Sequence, residues 1–205
     1  ELCANLVIGG TTPGYTLFEQ VKEKTGLPVR VLIRPRFGDF LYSHYEYEQM
    51  LYDIRYFAQT GADGVVIGSL KEDGTLNEEQ MRGMIEAAGN SGITLHRAFD
   101  VCADPADCVA GCELLRRLVQ LSADKCEGID SYCKPAILAG AGVSSANIAE
   151  IAKITGAHAF HMSGKKLCLS GMHYRNERVH MGLKELSEFQ IYRTDETEIR
   201  RAVEI

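Results

Sequence analysis

His96, Arg97 and Asp100 follow directly on the apolar run Ile93-Thr94-Leu95. A base, a cation and an acid at the tip of a strand are groups that can hold an anion and move a proton. The run Val29-Arg30-Val31-Leu32-Ile33 ends in the same way, in Arg34 and Arg36. Forked guanidinium donors suit carboxylate or phosphate; the same two arginines can equally pair with Glu1 and Asp39 and brace the loop. Gly140-Ala141-Gly142 closes another apolar run ahead of Ser144, in the manner of a phosphate-cradling turn at a helix start. The candidate site is therefore His96 as general acid or base with Glu1 or Asp100 as its partner. Arg34, Arg36, Arg97, His161, Gly140 and Gly142 are the candidate substrate-binding residues.

Such groups converge only if separate elements deliver them to one opening. The spacing predicts a strand at 29–34, another at 65–67, and others at 93–96, 135–138 and 159–162, with Leu2 in a strand fragment. Helices are expected between them: about 16–24, a longer one begun by the capping box Ser43/Glu46, and one capped by Asn77 and Gln80. Further helices are expected from Asp104-Pro105 through Leu121, after Ser144, and across 194–205, with a polar segment at 163–182. Strand and helix in alternation imply parallel pairing. Side chains alternate faces along a strand, so parity gathers Glu1, Cys3, Arg34, His96 and His161 about one axis. The expected architecture is an incomplete TIM-barrel-like α/β fold, with about six of the usual eight strands.

The whole composition narrows the partners. The chain has 205 residues, 45% hydrophobic and 24% charged, with a formal net charge of −6. That balance speaks against nucleic acid and anionic membrane as partners, and no apolar run reaches the ~18 residues of a membrane span. The seven cysteines are scattered and form no C-x-x-C, which points to a reducing compartment, the cytoplasm. Cys108 and Cys112 lie one helical turn apart, as a metal pair or as two small core side chains.

Several motifs occur in the order seen in a known family. Glu1-Leu2-Cys3, Gly9-Gly10-Thr11-Thr12-Pro13, Ile33-Arg34-Pro35-Arg36, His96-Arg97-Ala98-Phe99-Asp100 and Gly140-Ala141-Gly142-Val143 are among them. With Phe160-His161 and Gly171-Met172-His173-Tyr174-Arg175-Asn176, the chain resembles the CutC family of copper homeostasis proteins over nearly its whole length. The resemblance implies a TIM-barrel-like fold in one domain over 1–205, cytoplasmic residence, Cu(I) as bound metal and Cys3 as its ligand. Homo-oligomer formation is a further expectation. Against the family pattern, the chain lacks a first strand-helix unit and one internal strand near residues 113–116. Of the family's proposed copper cysteines, Cys3 alone has a counterpart in this sequence.

Overall fold

The structure is a computed structural model that describes residues 1–98, 120, 137–140, 142–174, 187 and 189–205. Asp100, the expected 104–121 helix with Cys108 and Cys112, the 113–116 junction and Ala141 lie outside the described residues. The chain divides into two compact units, Glu1–Asp107 and Cys108–Ile205.

In the first unit, β1 (Arg30–Leu32), β2 (Gly64–Ile67) and β3 (Gly92–Leu95) form a parallel sheet in sequence order. Arg30, Gly64 and Gly92 stand level, as do Leu32, Val66 and Thr94. The chain enters through a parallel bridge, Leu2 to Val31, and a short turn at Leu6–Ile8. Helix α1 (Tyr15–Thr25) leads into β1, and α2 (His44–Gln59) and α3 (Glu78–Ala88) connect β1 to β2 and β2 to β3. Val31, Ile33, Val65 and Ile67 form the sheet's contribution to the core. Phe18 of α1, Met50, Ile54 and Phe57 of α2, and Met84 of α3 complete it. The α2 apolar stripe is thus buried as its helical spacing requires.

The capping box is present in full: Ser43 accepts from the Glu46 amide, and the Glu46 carboxylate accepts from Ser43 N–H. Asn77 caps α3 by accepting from the Gln80 amide. Asp53, buried on α2, accepts from the Tyr15 hydroxyl at 2.5 Å and ties α1 to α2.

Ile85 of α3 is 46% exposed, and on β3 Ile93 and Leu95 are 38% and 42% exposed. Their counterparts on β1 and β2, Val31, Ile33, Val65 and Ile67, are fully buried.

In the second unit, β4 (Leu138–Ala139) and β5 (Ala159–Phe160) pair in parallel across α4 (Ile148–Thr155). Asn147, not Ser144, occupies the N-cap of α4, and its amide donates to Gly142 O. The Ser144 N–H instead donates to Asn147 Oδ1, which winds the preceding turn. The expected polar segment holds a strand, β6 (Lys165–Leu169), paired antiparallel with β7 (Gln190–Thr194). Helix α5 (Glu196–Val203) follows, capped by Asp195.

Among the described residues the strands form three sheets, not one closed barrel. No helix among them is long and apolar enough to cross a membrane.

Candidate functional site

The even-numbered side chains of the first sheet face away from the three helices, and they change character along the strands. At the amino end, the Arg30 guanidinium lies across Gly64 and Gly92, where any Cβ would collide with it, and donates to Thr94 at 3.2 Å. Leu32, Val66 and Thr94 form the middle row. Backbone hydrogen bonds from Ile33 to Val66 and from His96 to Ile67 carry the parallel arrangement past the strand ends. Arg34, Gly68 and His96 then make the carboxyl-end row. Open α/β sheets bind ligands at this end.

Arg34 is held in place on every side. Its backbone N–H donates to Thr12 Oγ1 at 2.9 Å, and its O accepts from the Thr12 N–H. Its guanidinium donates to Gly10 O at 3.1 Å and Gly38 O at 2.7 Å, and sits 5.1 Å from the centre of the Phe40 ring. The His96 imidazole lies against the same ring, 4.8 Å between centroids. Phe40 is fixed in turn by Leu70 N–H donating to its carbonyl. A Cβ on Gly68 would lie 2.5 Å from His96 Cε1, so only glycine admits the imidazole there.

Among the described residues, three buried polar atoms at this end have no hydrogen-bond partner: Arg34 Nε, His96 Nε2 and the Tyr42 hydroxyl. His96 Nδ1 accepts from the Ala98 N–H at 3.1 Å. Burial, with the Arg34 charge second, pushes His96 down to about 4. Burial pushes Tyr42 up to about 12.

Arg34 and His96 thus stand at one end of one sheet, as their strand-tip positions require. Arg36 takes the bracing role left open above. It pairs with Asp39 at 2.9 Å and with Glu46, over the Tyr42 ring. Those contacts hold Asp39 and Glu46 below the ordinary carboxylate range, Glu46 mainly through Ser43 N–H.

Glu1 departs from the expected convergence. The Leu2–Val31 bridge sets it level with Arg30, toward the amino end, and Cys3 level with Leu32. Four residues along a strand is about 13 Å, so Glu1 is no close partner for His96. Arg97 is exposed.

His161 and Gly140 belong to the second unit and are neighbours there. His161 N–H donates to Ala139 O at 2.7 Å, and a Cβ on Gly140 would lie 3.6 Å from the His161 ring. Gly142 takes a left-handed φ of 79°. The turn it enters already holds an anion of the chain's own. Glu198 of α5 accepts from Ser145 N–H at 2.7 Å and from its hydroxyl at 2.8 Å, and these bonds lower its pKa. The expected phosphate cradle is met internally.

Cu(I) prefers two or three soft sulfur donors. Among the described residues no three His, Cys, Asp or Glu side chains come together as a metal group. Cys3 stands beside Gly10 and Leu32, its thiol raised by burial and then by the Glu1 charge.

Phe40, Gly68 and Tyr42 join the site without being predicted from spacing; Phe40 stands in the glycine-containing loop Gly38-Asp39-Phe40 that follows β1.

Fold and site together define a parallel α/β protein with cationic and imidazole groups at the carboxyl ends of its strands. A model of the CutC family matches residues 1–166. A family protein CutC of Parabacteroides distasonis is 39% identical over 98% of this chain and 88% of its own. The human copper homeostasis protein cutC homolog is 35% identical over 98% of this chain and 78% of its own. The crystal structure of a copper homeostasis protein CutC from Streptococcus agalactiae superposes with a TM-score of 0.61 at 26% identity, covering 78% of this chain and 85% of that one. The chain belongs to the CutC family.

Proposed function

We propose that this protein serves copper homeostasis in the cytoplasm, with Cu(I) as its cargo and Cys3 as the residue that meets it. Support comes from likeness along nearly the entire chain to a human protein named for copper homeostasis. The scaffold we propose is a TIM-barrel-like domain over 1–205. Its support is the repeat in β1 to β3, three parallel neighbours with helices packed on one face, and the β4–α4–β5 unit of the same kind. Cys3 supplies one donor, so the described residues suit transient contact with the ion rather than its storage. Anaerobic calorimetric titration with Cu(I) tests this: binding is lost in Cys3→Ser and kept in His96→Ala. Binding that survives Cys3→Ser removes Cys3 from the role, and a wild-type protein that takes up no Cu(I) ends the copper reading.

A second reading is favoured by the unpartnered donors on Arg34 and His96. In it the protein is an enzyme acting on a small anionic substrate, phosphate or carboxylate. Arg34 holds the anion and His96 stands in the acid–base position. Loss of anion binding in Arg34→Lys, with Cys3→Ser unaffected, is the result expected of it.

A further inference from the structure

The carboxyl-end row holds a buried cation, Arg34. Arg34 is 9% exposed, and its two satisfied nitrogens donate to neutral carbonyls. Among the described residues no carboxylate pairs with it. A charge withdrawn from water without a partner costs several kcal/mol. An anion brought by another molecule relieves that cost.

His96 supplies a second donor. Because Nδ1 accepts from the Ala98 amide, its lone pair is engaged there, and the ring proton of the neutral imidazole sits on Nε2. That Nε2–H is buried and has no acceptor among the described residues. Both groups pack on Phe40, the Arg34 guanidinium 5.1 Å and the His96 ring 4.8 Å from its ring centre.

We propose that Arg34 Nε and the neutral His96 Nε2–H together form a binding site for a small carboxylate, the guanidinium taking the charge and the imidazole donating to an oxygen of the same molecule. This rests on the second reading above and narrows its substrate class. The choice of carboxylate over phosphate follows from charge. Arg34 offers one full positive charge, and the ring beside it is uncharged at neutral pH. Arg36, a second cation on the loop after β1, is engaged by Asp39 and Glu46. A monoanion is balanced by this set, whereas a phosphate dianion keeps an uncompensated charge in a desolvated place. A neutral histidine that polarises an oxygen by donation is a known catalytic arrangement.

The test uses the full chain at pH 7 and fixed ionic strength, titrated with sodium acetate and separately with sodium phosphate. Long-range proton–nitrogen NMR spectra of the histidine rings report the outcome. We expect His96 as the Nε2–H tautomer, ring signals that move saturably with acetate, and weaker binding of phosphate. His96→Phe should weaken acetate binding about tenfold or more, the worth of a hydrogen bond to a charged group. His96→Gln, which keeps a donor, should recover part of it. Arg34→Lys should weaken both anions. An Nδ1–H tautomer, or acetate binding unchanged in His96→Phe, overturns the role of His96 while anion binding stands. Phosphate binding more tightly than acetate overturns the carboxylate assignment. Saturable binding of neither anion overturns this inference and the second reading alike. Should Arg34→Lys fail to fold, as its thermal melt would show, the wild-type tautomer and the order of the two anions still decide.

Discussion

Gly68 touches no ligand and carries no chemistry, yet the imidazole of His96 occupies the volume its side chain would take. Gly68→Ala places a methyl 2.5 Å from His96 Cε1 and 2.9 Å from the Ala98 Cβ. We expect a loss of about 1–3 kcal/mol, the cost of overpacking, read as a lower urea midpoint. His96 itself makes stability depend on pH. Its folded value of about 4 lies below the ordinary 6.5, so between those values the unfolded chain binds the extra proton. That contribution is complete above pH 6.5 and is lost as pH falls toward 4, by up to about 3 kcal/mol. Burial raises Asp53, which acts with the opposite sign: its contribution falls as pH rises through its folded value. Urea unfolding of wild type and His96→Gln across pH 4 to 7 cancels Asp53 and leaves the His96 slope, present in wild type alone. At this scale the sequence exposed what carries charge. Arg34 and His96 end apolar runs and are conspicuous; Gly68 and Phe40 matter through approach in space, which composition does not encode.

The helices were legible because their signals are local. Ser43 and Glu46 stand three residues apart and close the capping box that spacing predicts. The same Glu46 carboxylate also accepts from Arg36, so the start of α2 and the loop after β1 share one residue. Ser43→Ala is expected to cost about 1 kcal/mol, a fall of roughly 2–4 °C in Tm for a chain of this size, measured by calorimetry. The hairpin-like pair β6 and β7 was not legible. Its partners are Lys165 with Thr194 at one end and Leu169 with Gln190 at the other, and most of its residues are exposed. Without a buried face there is no alternation to read. The α4 cap moved from Ser144 to Asn147 for a related reason: both residues cap well, and the choice goes with Asn147 bonds, to Gly142 O and from Ser144 N–H, that only the folded turn defines.

For the molecule as a whole, the motifs in order revealed the family and the parallel strand-helix repeat. Barrel closure was not readable, since it depends on strands meeting across the chain rather than along it. A net charge of −6 sets the large-scale behaviour. We expect no retention of duplex DNA in filter binding even at about 50 mM salt, where electrostatic association is strong; saturable binding there would contradict the reading of the chain's charge.

The inner face of the first sheet has a glycine wherever a large polar side chain crosses it: Gly64 and Gly92 beneath Arg30, Gly68 beside His96. Its recesses are therefore written in missing atoms. A saturation mutagenesis survey would find its most intolerant positions among residues with no functional group at all, and a search for reactive side chains would pass over the very positions that admit Arg30 and His96.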